Sequence, residues 1–400
     1  MAGTQASALL GLARSWDPTR GLPRNEMPAL TSIRALFAWW VVAYHFLGSA
    51  PFLIGQNSDF LNKGRMAVDC FFVLSGFVLC HVHPVIIGRK RSGSASPHPV
   101  ADFLVSRLAR IYPLHLVMLA AFCAVVLTYR LLHGGGLGAG AHNAFAFDTL
   151  PALVREALLL HGWLGTDMEA WNVPSWSISS EWGAYLLAPL IFLWLPRLRP
   201  AVLLAGLGVL GAITILLAES GEITHPRLEL PRVLLEFIIG AALRTLVTGD
   251  ISRLCDIRGI GLVIGWLAGV AAAFSAHAGM FLAVMVWIML LLSLRTHRAT
   301  GWLGRCERVT IYLGETSFAV YMCHALVLML WTGSVQSRLA HAGIGSHPLV
   351  CGLLLVAVIQ GFASGLHHAV ELPAQRAIRQ GFRQWSSRQW ANERVRPQPN

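Results

Sequence analysis

Residues 33–45 read IRALFAWWVVAYH, with an arginine near one end of an unbroken apolar run and a histidine at the other. As a helix, the eleven steps from Arg34 to His45 cover ~16 Å of axis, about half the hydrocarbon thickness of a bilayer. The apolar stretch extends over about 30–53, the length a membrane-crossing helix needs. An ionisable side chain inside such a span costs about 2.5–3.5 kcal/mol on insertion scales, so it persists where it does chemistry.

The rest of the chain carries the same pattern. Of 400 residues, 55% are hydrophobic and only 13% charged, where an ordinary soluble domain has about 25% charged. Further apolar stretches lie at about 66–87, 112–132, 174–195, 200–218, 231–247, 259–275, 278–295, 311–333 and 348–371. The expected fold is therefore all-α, a polytopic transmembrane helix bundle of about ten spans. The stretch 150–164 is short and carries Arg155, Glu156 and His161; it reads as a surface or re-entrant helix within an external segment, 133–173. The Gly-rich stretch 133–140 reads as a loop.

Loop charges give the orientation. Arg89, Lys90 and Arg91, then Arg197 and Arg199, Arg253 and Arg258, and Arg295, Arg298, Arg305 and Arg308 fall on alternate loops. Basic loops collect on the cytoplasmic side. Both termini are then cytoplasmic, and a spanning 150–164 would invert every later loop against that rule. The chain divides into a cytoplasmic N-terminal tail, 1–28; a membrane domain, 29–373; and a basic cytoplasmic tail, 374–400, of which 384–400 reads as disordered. The apolar run at 6–12 is too short for a signal peptide. The net charge of +11 is accounted for by these loops and tails, so no nucleic-acid partner is expected. The seven cysteines show no paired spacing, and neither a disulfide framework nor a metal site is expected.

Five places inside or beside the spans carry chemistry. Arg34 sits near the cytoplasmic boundary, where it can bind an anion. His45 sits past mid-bilayer, where a neutral imidazole can take a proton from a hydroxyl. Asp69, in GRMAVDCFFVLSGFVL, either pairs with Arg65 one turn earlier or orients His45. Ser75 and Gly76 suit close helix packing. Arg107 and Arg110, at i and i+3 in SRLARIYP, share a helix face. They form a phosphate clamp or a headgroup anchor, with Tyr112 following at the start of the next span. Glu181, in PSWSISSEWGAYLLAP, enters a span from outside; it can bind a hydroxylated substrate or stabilise an imidazolium. The neighbouring Trp171, Trp176, Trp182 and Tyr185 form an interfacial belt or a stacking surface for a sugar ring. Tyr321 and His324 lie in one late span, and His367, His368 and Glu371 close the last.

Read together, these segments resemble the membrane acyltransferase 3 family. The basic-residue, ten-residue, histidine pattern of its first span falls on Arg34 and His45. The V-D-x-F-F-x-L-S-G-F pattern falls on Val68, Asp69, Phe71, Phe72, Leu74, Ser75, Gly76 and Phe77. R-x-x-R-I-Y-P falls on Arg107, Arg110, Ile111, Tyr112 and Pro113, and W-S-x-x-x-E on Trp176, Ser177 and Glu181. Late elements fall on Glu236, Phe237, Gly240, Tyr321, His324, Glu371 and Pro373. The chain departs from the family at Ala67, Cys323 and Leu326.

The resemblance implies transfer of an acyl group from a cytoplasmic acyl-CoA, acetyl-CoA in the simplest case, to a hydroxyl of a glycan or other exported acceptor. The expected setting is a bacterial inner membrane. His45, Asp69 and Glu181 are then the catalytic candidates. Arg34, Arg107, Arg110 and Tyr112 are the donor-binding candidates. Trp176, Ser177, Tyr321 and His324 are the acceptor-side candidates. The alternative is a proton-coupled transporter with His45 and Glu181 as relay.

Overall fold

The computed structural model describes residues 27–49, 63–83, 98–132, 149–163, 171–222, 225–247, 277–293, 301–341 and 348–395, with short pieces of 267–272. These are helical, with no strand among the described residues. In chain order the helices are α1 (Pro28–Ser49), α2 (Met66–Val82), α3 (Pro99–Leu132), α4 (Leu150–Ala157), α5 (Trp176–Trp194), α6 (Pro200–Glu219) and α7 (Glu229–Leu246). There follow α8 (Ala278–Ser293), α9 (Gly301–Glu315), α10 (Ser317–Leu330), α11 (Gln336–His341), α12 (Pro348–Leu366) and α13 (Leu372–Val395). Helices occupy each expected stretch except 259–275, which lies largely outside the described residues, as do 1–26 and the Gly-rich stretch 133–140.

Among the described residues, four helical segments are long and apolar enough to cross a membrane: Pro99–Leu132, Val173–Arg197, Pro200–Glu219 and Val350–Arg388. A fifth is the pair Arg305–Glu315 and Ser317–Leu330, bent by 59°. Large apolar side chains face outward on these segments. Leu204, Val209, Leu216 and Leu353 are 61–71% exposed. A surface that exposes leucine at this density suits lipid.

The centre is built by α1, α2, α7 and α10, with α2 and α7 in the most extensive contact. Two glycines explain that approach. A Cβ on Gly76 would run into the backbone carbonyl of Phe237, and a Cβ on Gly240 into that of Val73. Each helix therefore lays its glycine on the other's backbone, as small-residue membrane packing requires. Phe37, Phe72, Phe103, Phe192 and Phe237 fill the interior around this contact.

Two expectations change. The third span does not start at 112: α3 begins at Pro99 and runs unbroken through Pro113. Proline is pre-set for a helix's first position, and inside a membrane bundle its missing N–H is tolerated. Arg107 and Arg110 consequently lie two to three turns inside a 34-residue helix, not ahead of the span. The tail at 384–400 is not disordered up to Val395, because α13 continues that far. Its Gln, Arg, Ala and Glu residues lose little freedom in a helix, α13 packs along α3, and Ser386 is buried.

Candidate active site

A cavity of about 160 Å³ opens between α1, α2, α3, α5 and α10. Its polar wall holds Arg34, Arg107, Arg110, Ser177, Glu181 and Tyr321; Phe71, Leu74, Val78 and Phe318 supply apolar wall. Three guanidiniums against one carboxylate make a lining that favours an anion.

Each charge is held differently. The Arg110 guanidinium pairs with Glu371, whose other oxygen is 2.9 Å from His367 Nδ1. Gln375 donates to Glu371 at 3.2 Å. Arg110 also lies 5.5 Å from the Phe318 ring centre. Its charge is largely committed to this staple, which ties α3 to the π-helical turn His367–Glu371. Arg107 has no carboxylate partner among the described residues; its Nε donates to the Ser106 hydroxyl at 3.3 Å. Arg34 lies within electrostatic reach of Arg110, Glu371 and Glu181.

Glu181 accepts a hydrogen bond from the Tyr185 hydroxyl at 2.6 Å, and Ser75 Oγ lies 3.2 Å from that same hydroxyl. Tyr185 has one proton, given to the carboxylate, so Ser75 donates. The relay fixes Glu181 as the cavity's negative group. On the opposite wall Tyr321 donates to the Pro174 carbonyl at 2.9 Å and lies 2.8 Å from Ser177 Oγ.

The histidines stand outside the cavity lining, next to each other. The rings of His45, on α1, and His324, on α10, are 5.2 Å apart centre to centre. Tyr321 links the pair to the cavity: it lines the cavity, and its ring is 5.7 Å from that of His324. His324 is fully buried, with Nδ1 2.6 Å from the Tyr321 carbonyl oxygen. A carbonyl can only accept, so Nδ1 carries the proton and Nε2 keeps a bare lone pair. Nε2 has no hydrogen-bond partner among the described residues. His45 is exposed, so the pair offers one accessible and one enclosed imidazole.

Asp69 and Trp176 belong to a separate cluster. Asp69 is 1% exposed and forms its ion pair with Arg232 Nε, 3.2 Å away on α7, in place of the expected Arg65 or His45. The Arg232 guanidinium lies 4.9 Å from the Trp176 ring centre, and the buried Glu236 is one turn along. Sequence reading passed over Arg232, although an arginine four residues before a glutamate in an apolar run was a visible signal. Tyr112 stands apart as well, donating to the Ala157 carbonyl at 3.0 Å and so pinning α4 to α3.

That pinned corner is a polar knot. Glu156 is fully buried and accepts from Trp171 N at 2.6 Å, Asn172 N at 3.1 Å and Ser175 Oγ at 2.9 Å. Burial pushes its carboxyl up to about 7, against three hydrogen bonds that favour the charged form. His161 meets Ser175 at 3.0 Å and stacks on His115, which meets the Glu156 carbonyl at 2.9 Å. The knot sets the entry of α5, and so the height of Ser177 and Glu181. At eight residues, α4 is too short to span.

Among the described residues no group of three or more His, Cys, Asp or Glu side chains is placed to hold a metal. Compared with known proteins, the chain is 27% identical over 384 residues to Acyltransferase MdmB of Streptomyces mycarofaciens, covering 88% of this chain and 92% of that one. It is 31% identical over 183 residues to Protein 2 in picA locus of Rhizobium radiobacter, covering 40% of this chain and 85% of that protein. No solved structure matches the chain. The acyltransferase domain model of the acyltransferase 3 family matches residues 27–364, which contain both histidines and every cavity-lining residue, and the chain belongs to that family.

Proposed function

We propose that this chain is an integral membrane O-acyltransferase. It moves an acyl group, acetyl in the simplest case, from cytoplasmic acyl-CoA to a hydroxyl of a glycan or another exported acceptor. The observation that carries this reading is the cavity itself. A basic pocket sits inside an apolar helical bundle, and a histidine pair adjoins it through Tyr321.

Acyl-CoA combines several phosphates with a long arm that ends in the acyl thioester. The arginine side of the cavity suits the phosphates. Arg34 and His45 share α1, ~16 Å apart along its axis, a distance that an extended pantetheine-type arm can cover. In the direct route His45 takes the proton from the acceptor hydroxyl, whose oxygen attacks the thioester carbonyl. The carbon–sulfur bond breaks, and the thiolate leaves with the proton from the imidazolium. In the covalent route an imidazole nitrogen of His45 attacks the thioester carbonyl and the carbon–sulfur bond breaks, releasing the thiolate; the acceptor hydroxyl then attacks the acyl carbon, the carbon–nitrogen bond breaks, and the hydroxyl proton ends on the thiolate. Glu181, held by Tyr185, stabilises the positive charge that builds on the imidazole. Ser177 and Tyr321 shape the acceptor side, with His324 behind Tyr321.

The ten-span count, the cytoplasmic termini and a bacterial inner membrane belong to the same proposal, supported by the loop charges. The test is on whole cells. Proton NMR counts ester acyl methyl signals on surface and exported glycans, before and after mild base, in wild type, a deletion strain and the deletion carrying His45→Ala. A base-labile signal missing from both mutants identifies the acceptor. Unchanged signals in all three remove exported glycans as acceptors.

A further inference from the structure

One turn of α3 gathers two guanidiniums, from α3 and α13, and an imidazole at the end of the bundle where α2 stops. Arg107 Nε donates to the Ser106 hydroxyl at 3.3 Å, and Arg379, from α13, donates to the Ser106 carbonyl at 3.3 Å. The two guanidiniums thus converge on one residue. Ser106 also donates to the Phe103 carbonyl at 2.8 Å, which holds the turn in place. The third group is His83, just past the end of α2, its ring edge-on to Phe103 at 4.9 Å. The charges of Arg107 and Arg379 both bear on His83, and Arg383, one turn along α13, bears on Arg379.

None of Arg107, Arg379 or His83 forms an ion pair with a carboxylate among the described residues, whereas Arg110 and Arg232 each have one. Two nitrogens there, Arg379 Nε and His83 Nε2, are buried without a hydrogen-bond partner among the described residues. Bringing two guanidiniums together beside a buried imidazole is unfavourable unless an anion neutralises them, and buried polar groups left without a partner cost more again. Arg107 also lines the cavity, so an anion bound here would sit at its mouth.

We propose that His83, Arg107 and Arg379 form a phosphate-binding site at the mouth of the cavity, and that α13 exists in part to bring Arg379 to it. In the acyl-CoA reading, on which the choice of ligand rests, a phosphate of the donor fills it and the thiol arm runs past Arg107 into the cavity. Arg110, neutralised by Glu371, then holds the helices together rather than the phosphate. An anionic lipid headgroup presents the same chemistry.

The test is binding to the purified full chain in nanodiscs, with coenzyme A and inorganic pyrophosphate as probes, with and without phosphatidylglycerol. Wild type should bind coenzyme A, and pyrophosphate should displace it. Arg379→Ala should weaken coenzyme A at least about tenfold, as the loss of a charge-assisted hydrogen bond implies. Arg379→Lys should recover part of the loss, and the exposed Arg376→Ala should bind as wild type. If Arg379→Ala proves poorly folded, Arg379→Lys and His83→Gln carry the same comparison. Loss of phosphatidylglycerol retention in Arg379→Ala, with coenzyme A unaffected, would keep the site and make its phosphate a lipid's. A wild type that binds pyrophosphate at this site but not coenzyme A would remove the acyl-CoA reading alone. Wild-type binding of coenzyme A, pyrophosphate and lipid by every variant overturns the site.

Discussion

His45 and His324 show how one residue type takes two states in one place. His324 is enclosed, and the Tyr321 carbonyl fixes which nitrogen holds its proton, while His45 lies at the open side of the same ring contact. If His45 is the base or acyl carrier, His45→Ala should lower transfer at least about a hundredfold with expression intact; a mutant that disappears from the membrane would make the residue structural instead. Arg110 asks for a different experiment. Its loss strands the fully buried Glu371, and breaking a buried pair on one side costs about 3–5 kcal/mol. Arg110→Ala should therefore lose thermal stability in detergent, and Arg110→Ala with Glu371→Gln should regain much of it. Strictly additive losses would contradict the pairing. The identities of these residues were legible in the sequence because ionisable groups stand out in apolar spans. Their partners were not: Glu371 is 261 positions from Arg110, and Asp69 had a plausible partner four residues away that the fold does not use.

At the scale of elements, the contact of α2 with α7 decides the core. Gly76→Ala or Gly240→Ala would push a methyl group into a backbone carbonyl that has nowhere to go, at a cost of about 1–3 kcal/mol or more. Gly206→Ala on α6 meets nothing within 4 Å and should be neutral or stabilising by about 0.5–1 kcal/mol. Thermal unfolding of the three variants in one detergent checks both signs; equal behaviour would mean that the helices do not touch as described. Gly76 was readable as a packing residue, but its partner helix was not, since one sequence carries no pairing information across so many positions. The α4 corner offers a pH test. Glu156 has its carboxyl raised from the ordinary value of about 4.5 to about 7, so its contribution to stability is full below about pH 4.5 and is lost as pH rises through about 7. His161, pulled down to about 3 by burial and then by His115, stays neutral across that window. Glu156→Gln should flatten the dependence of thermal stability between those values, and an unchanged slope would assign it to other groups.

For the whole molecule, composition and loop charge made the helical bundle legible before any coordinates. Blocks of apolar residues leave few alternatives in lipid, where backbone groups must be satisfied within the helix. Element boundaries were less legible. Pro113 looked like a helix start and is an interior residue of α3; the polar run after 384 looked disordered and is helix to Val395. Both errors hid the same fact, that α3 and α13 run side by side and bring Arg107 and Arg379 together. Reporter fusions at the two ends of the chain should both read as cytoplasmic, and opposite readings would break the ten-span orientation. The most direct test of acyl transfer uses inside-out membrane vesicles loaded with a crude extract of exported glycans, with acyl-labelled acetyl-CoA added outside, comparing wild type with His45→Ala. The account predicts that wild type places label in a base-labile ester and that His45→Ala does not. Equal ester formation by both, or label that crosses into the vesicles without forming an ester, would contradict it.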